Sequence, residues 1–109
     1  MDALMTATGH VECVELRQLP PLTAVLVWTK NSLYRVTVLD GSSVSVQGGP
    51  FFTDPTPAQL TGASIGRGFV LDGLICLGLQ MEIQTGDTRT RTSPVVALAT
   101  ESAGDSIVH

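Results

Sequence analysis

The chain of 109 residues is poor in charged and aromatic side chains and has no long apolar run. Charged residues make up 15% and aromatic residues 5% of the sequence. The longest apolar run, residues 74–79, has only 6 residues and is too short to cross the hydrocarbon core of a bilayer. No Lys or Arg precedes Arg17, whereas a secretory signal peptide begins with basic residues. We therefore expect a cytoplasmic protein that does not associate with a membrane.

The few charges are unevenly distributed. Opposite charges cancel between Ala24 and Ala99, so the two flanking segments carry the whole net charge of −4. A nucleic-acid-binding domain needs a basic patch, because neutralisation of phosphates supplies much of its affinity. A neutral centre with acidic flanks is unfavourable for that function. Hydrophobic residues reach 43%, which is enough for the core of one globular domain.

Residues that perform catalysis or bind metals are scarce. A zinc site would have to use His10, Cys13, Cys76 and His109. Only the first two have a ligand-like spacing, whereas structural zinc sites usually contain two such pairs. No Ser or Cys in the central segment has a His near it in sequence for activation. We therefore predict no enzyme activity, no metal and no other cofactor. Cys76 is expected to be a small buried hydrophobe, and its proximity to Cys13 is left open.

The centre of the chain has the pattern of β-strands. Segments rich in Val, Leu, Ile and Thr lie between turn signals such as Asp40-Gly41, Asn31-Ser32 and residues 85–87. These segments are residues 24–30, 33–39, 43–47, 74–84 and 95–100. In the fourth segment, Gly78 separates a half that is apolar on both faces from a half whose one polar face is expected to face water, which predicts one long, bent strand. No helical period lies between the strands, so we predict an all-β fold with a single small antiparallel β-barrel.

The region 47–60 is predicted to be a long, partly ordered loop after the third strand. Phe51 and Phe52 are expected to plug the end of the barrel; the alternative is that they form the lip of a binding site. The glycine-rich sequence TGASIGRG follows at residues 61–68. It lacks the Lys and hydroxyl residue of a P-loop and precedes a strand-like segment instead of a helix. We interpret it as the end of the loop, with Ile65 anchored in the core.

The two ends of the chain differ from its centre. Residues 1–23 are predicted to be a partly mobile N-terminal segment that contains a helical turn or an extra strand before Pro20 and Pro21. Residues 24–99 form the barrel domain, and residues 100–109 are predicted to be a mobile tail.

The strand 24–29 is apolar on both faces, and a small barrel buries only one face of each strand. We predict that Leu26 and Trp28, with Tyr34, form an apolar surface for a protein partner or for a second copy of the chain. The alternative is that the N-terminal segment covers Leu26 and Trp28.

Two further functions stay open. In the first, Arg89 and Arg91 lie on one face of a Thr-Arg-Thr-Arg-Thr strand and bind nucleic acid or another polyanion weakly. In the second, a small-ligand or enzymatic site lies near Phe51, Phe52 and the glycine-rich loop.

Five short pieces of the sequence, in this order, resemble a group of short uncharacterised bacterial proteins. They are TKNSLYRV, QGGPFF, LTGASIGRG, LGLQMEI and TSPV, and they cover residues 29–95. The resemblance implies a small all-β barrel of the SH3-like or a related type, with NSLY and TSPV as structural corners. It implies no activity, and it assigns no catalytic residue.

Overall fold

The computed structural model describes residues 12–101 and shows an all-β protein. A single 3₁₀ turn, Leu16–Gln18, is the one helical element in this range. The strands are β1 (Cys13–Glu15), β2 (Ala24–Thr29), β3 (Leu33–Asp40), β4 (Ser43–Gly48), β5 (Phe52–Gly66), β6 (Phe69–Asp72), β7 (Leu74–Cys76), β8 (Gln80–Thr85) and β9 (Thr88–Glu101). The predicted all-β class is therefore confirmed. No helix in the described range is long and apolar enough to cross a membrane.

Seven strands form one sheet with the order β4-β3-β2-β9-β8-β5-β6, and every neighbouring pair is antiparallel. Because β4 also pairs with β5, the pairings return on themselves and six strands form a closed ring, with β6 added to one side of β5. The remaining strands, β1 and β7, form a separate two-stranded sheet. Short turns join β2 to β3, β3 to β4 and β8 to β9, at the three positions that the sequence predicts.

The alternating pattern of the central strands determines which side chains enter the core. Val25 and Val27 of β2 pair with Val36 and Tyr34 of β3, and all four side chains are buried. Successive side chains of a strand point to opposite faces, so the intervening residues point outward. Leu16, from the 3₁₀ turn, is fully buried in the same core. The segment before residue 24 thus supplies part of the core of the central strands.

The region 47–60 is a strand over most of its length, and its prediction as a loop is wrong. β5 runs for 15 residues from Phe52 and pairs first with β4 and then, from Gln59, with β8. Pro55 and Pro57 led to the error, because proline cannot donate a backbone hydrogen bond. Over residues 52–58 the structure shows β4 as the one partner of β5, and prolines two positions apart are accommodated on the open side of such a strand.

The sequence TGASIGRG forms the end of β5, a tight turn and the start of β6. Gly66 pairs with Phe69, and the two residues between them, Arg67 and Gly68, have φ of 57° and 80°. Positive φ at both central positions is the geometry of a type I′ hairpin turn. The expectation that Ile65 anchors a loop in the core is wrong, because its side chain is 52% exposed. It lies where the pairing of β5 with β6 shifts register.

The predicted long strand 74–84 is two strands that diverge at Gly78. β7 pairs with β1, whereas β8 pairs with β5 and β9. Gly78 has a φ of 84°, a conformation that L-residues rarely adopt, and it allows the chain to change direction between the two sheets. The glycine was therefore placed correctly at the bend, but the bend is sharp enough to end one strand and start another.

A disulfide bond fixes β1 to β7. Cys13 and Cys76 are directly opposite each other in this strand pair, with their Cα atoms 4.0 Å apart and their sulfur atoms bonded. Cys76 is buried, as expected, but its treatment as an unpaired small hydrophobe is wrong. The backbone N–H of Leu16 donates to the carbonyl of Gly73 at 3.1 Å, so hydrogen bonding continues beyond the strand pair into the 3₁₀ turn. Of the ends predicted to be mobile, 1–23 and 100–109, residues 1–11 and 102–109 lie outside the described residues, whereas Thr100 and Glu101 belong to β9 and pair with β2.

Candidate interaction surface

The outer face of β2 carries apolar side chains flanked by apolar neighbours on two strands. Trp28 is opposite Leu33 of β3 and Ala97 of β9. Leu26 is opposite Ala99 of β9 on one side. These side chains point away from the core, because the alternate residues of β2 are the buried valines. The structure therefore places Leu26 and Trp28 on the outward face that the sequence predicts.

The exposed residues on this face form one continuous patch. The side chains of Trp28, Leu33 and Val96 are 36%, 47% and 60% exposed. The register of β2 and β9 shifts between Trp28 and Thr29, which leaves Val96 as an extra residue next to Ala97. We call this surface the outer apolar patch; it consists of Leu26, Trp28, Leu33, Val96, Ala97 and Ala99. The described part of the N-terminal segment, residues 12–23, leaves Trp28 36% exposed and Leu26 half-buried, whereas residues 1–11 of that segment lie outside the described residues.

Polar contacts border the outer apolar patch at both ends. At one end, Arg35 of β3 forms an ion pair with Glu101 of β9, across β2. At the other end, the side-chain amide of Asn31 donates to the hydroxyl of Ser93 at 2.7 Å. An apolar centre inside a polar rim is the usual composition of a protein interface.

Tyr34 is not part of this surface, and its inclusion there is a wrong prediction. Its side chain is 4% exposed and meets Phe52 edge to face, with the ring centroids 6.5 Å apart. The reason is the two-residue period of β3, which directs Tyr34 into the core together with Val36 and Val38. The same period directs Leu33 outward.

Four members of the patch were not identified from the sequence: the large side chains Leu33 and Val96 and the small ones Ala97 and Ala99. Leu33 could have been found, because it precedes an inward-facing Tyr34 and must take the opposite face. Val96 could not, since its position depends on a register shift between β2 and β9 that no local sequence pattern encodes.

Arg89 and Arg91 share one buried carboxylate. Glu82 is 1% exposed, and its two oxygens contact Arg89 Nε at 3.3 Å and an Arg91 Nη2 at 3.1 Å. The sequence predicted that the polar half of this strand faces water, and for Glu82 this is wrong: cross-strand pairing with Arg91 brings the guanidinium groups over it. The two arginine side chains remain 60% and 46% exposed. The cluster therefore carries one net positive charge instead of two.

The structure does not bring Phe51 and Phe52 close to the glycine-rich turn. Phe52 begins β5 and Gly66 ends it, so the features lie at opposite ends of a long strand. Phe52 is buried, as expected for a plug, whereas Phe51 is 72% exposed. A separate exposed apolar group surrounds the turn, where Phe69 is 64% exposed beside Ile65 and Leu71.

Groups that could hold a metal ion do not gather in the described range. Between residues 12 and 101 no cluster of three or more His, Cys, Asp or Glu side chains is arranged around a common point. Both cysteines are bonded to each other, and His10 and His109 lie outside the described residues. Comparison of the chain with protein-family models, with curated proteins and with solved structures finds no match.

Proposed function

We propose that this protein is a non-catalytic binding module of the cytoplasm, built as a small β-barrel of the SH3-like or a related type. It associates with a protein partner or with a second copy of itself through the outer apolar patch. The observation that carries this proposal is the exposure of Trp28, Leu33 and Val96 side by side on one sheet face. Apolar groups that touch one another on a surface mark a place where another molecule excludes water.

The composition of the patch favours a protein as the partner. Tryptophan is among the residues that contribute most to binding energy at protein interfaces, since it buries a large area at low entropic cost. Trp28 is at the centre of the patch, with Leu33 and Ala97 on its two sides. Smaller side chains surround Trp28 on a sheet face, and packing of one sheet face on another is a common way to bury such residues.

The single tryptophan of the chain allows self-association to be measured without a label. We expect static light scattering over a concentration series to show a mass above that of the monomer. The fluorescence emission of Trp28 should shift to the blue over the same concentrations, because association removes water from the indole. If the protein is monomeric throughout, the same shift is expected when the partner, isolated on the immobilised protein, is added back.

Variants with a matched control test whether this surface is the responsible one. Leu33→Lys and Val96→Lys place charges at two edges of the patch without removing a core side chain, and each should reduce association at least tenfold. Phe69→Lys is the control, because Phe69 is equally apolar and more exposed but lies on the hairpin of β5 and β6. Equal loss in all three variants, or a monomer without any partner, would contradict the proposal.

Binding of a polyanion by Arg89 and Arg91 is the second candidate. Their exposed guanidinium groups favour it, while the bond of both to Glu82 weakens it. The test is the affinity for a fluorescent single-stranded oligonucleotide at about 50 mM salt, since binding to phosphates strengthens as salt is lowered. Arg67→Gln, which changes an arginine at a distant turn, is the control for Arg89→Gln. No affinity at low salt would exclude this candidate.

A further inference from the structure

A groove separates β1 from the C-terminal half of β9. It has a volume of about 480 Å³. One side is lined by Glu12, Cys13 and Val14, and the other by Leu98, Ala99 and Thr100. The groove is on the opposite side of β9 from β2, so it is a different site from the outer apolar patch, with Ala99 as the one shared residue.

β9 presents a backbone edge to this groove. Its first half pairs with β8 as far as Pro94, and the N–H and carbonyl of Val95 bond to residues 79 and 78. From residue 96 to 101, β2 is the one strand that pairs with β9 in the described part of the chain. A strand edge without a neighbour is a template for another extended segment, which supplies the missing backbone hydrogen bonds.

The size of the groove suits a short strand. Using a rise of about 3.3 Å per residue, a strand spacing of about 4.8 Å and a layer thickness of about 10 Å, one strand residue occupies roughly 160 Å³. A volume of about 480 Å³ therefore takes about three residues.

The lining also indicates which side chains such a segment should carry. Val14 and Leu98 are partly buried and pack against the core, so they offer an apolar floor. Glu12 is the one charged side chain that lines the groove. The surroundings thus favour a small apolar side chain next to a basic one.

We infer that this groove binds an extended segment of about three residues from another protein, which adds to β9 as a strand. An apolar side chain of that segment packs on Val14 and Leu98, and a neighbouring Lys or Arg approaches Glu12. A second copy of this chain is a poorer occupant, because the chain has a net charge of −4 and its own edge, residues 96–101, contains Glu101 but no basic residue.

The test uses the full chain and a fluorescent, end-blocked peptide, Lys-Val-Lys-Val-Lys-Val, in an anisotropy titration. We expect saturable binding and a loss of at least tenfold when alternate peptide nitrogens are methylated, since methylation removes the donors that pair with β9. Glu12→Gln should weaken binding two- to fivefold, as expected for an exposed ion pair. Glu15→Gln is the matched control, because Glu15 is exposed at the end of β1, three residues from Glu12, but does not line the groove.

Hydrogen exchange identifies the binding edge. Addition of the peptide should slow the exchange of the β9 amides between residues 96 and 101 that do not face β2, and Leu33→Lys should leave this effect unchanged. That separates the groove from the outer apolar patch. The inference is overturned if the peptide does not bind, if the methylated peptide binds equally, if protection appears elsewhere, or if these amides are already protected in the protein alone.

Discussion

Breaking the disulfide between Cys13 and Cys76 should lower the stability of this small protein by about 4 kcal/mol. The two residues are separated by 63 positions, so the bond closes a loop that includes most of the described strands. The chain-entropy relation for a loop of this length gives about 14 cal/mol/K, or about 4.3 kcal/mol at 25 °C. A single domain is commonly stable by only about 5–15 kcal/mol, so this bond supplies a large part of the total.

The assay is urea denaturation with and without a thiol reductant, followed by tryptophan fluorescence. With a denaturant slope of about 1.5 kcal/mol/M, the midpoint should fall by about 2–3 M in the reduced protein. Cys13→Ser is the control, because Cys13 is exposed while Cys76 stays in the core. This variant should match the reduced wild type and should not respond to the reductant.

Two results would refute this reasoning. Two reactive thiols in the untreated, denatured protein would show that the bond does not form. Equal stability of the oxidised and reduced forms would show one of two things. Either the cross-link does not restrict the unfolded chain, or the remaining strands are equally stable when β1 is detached.

Three further predictions concern the core, the buried charge and the hairpin. Leu16→Ala should cost about 2–5 kcal/mol in urea denaturation, because Leu16 is fully buried; a cost below about 0.5 kcal/mol would show that the 3₁₀ turn does not belong to the core. Arg89→Gln and Arg91→Gln together should lower the free energy of unfolding by about 3 kcal/mol, which is more than the sum of the two single changes. Only the double variant leaves Glu82 buried without a counter-charge. Additive effects in a double-mutant cycle would contradict this. Arg67→Asn should raise stability by about 0.5–1 kcal/mol, since Asn tolerates the φ of 57° that this position adopts, and an unchanged thermal midpoint would argue against the type I′ turn.

The parts of the fold that follow from local pattern could be predicted from the sequence. Alternation of apolar and polar residues identified β3 and β4, and short polar or glycine-containing turns identified the connections at 31–32 and 86–87. These signals depend on residues that are adjacent in the chain. The inward face of β3 and the outward position of Trp28 follow from the same period.

The parts that were missed depend on contacts between distant residues. The prolines of β5 indicate a loop when the sequence is considered alone. The segment is a strand because it pairs with β4. Glu82 has the sequence pattern of a solvent-facing residue, and it is buried because Arg91 comes opposite it from the next strand. The bond between Cys13 and Cys76 likewise depends on strand pairing. Sequence separation says nothing about such pairs, since loop closure costs rise only slowly with length.

The disulfide bears directly on the proposed cytoplasmic location. Thiols are kept reduced in most cytoplasms, whereas stable disulfides form in oxidising compartments. In a reducing environment, the three residue pairs between β1 and β7 and the buried side chain of Leu16 would have to hold the N-terminal segment without the cross-link. β1 is also one wall of the groove beside β9, so the same bond holds one side of this groove to β7. The oxidation state of Cys13 and Cys76 in the cell therefore reports the compartment in which the protein works, and it determines whether β1, one wall of the groove, is cross-linked to β7.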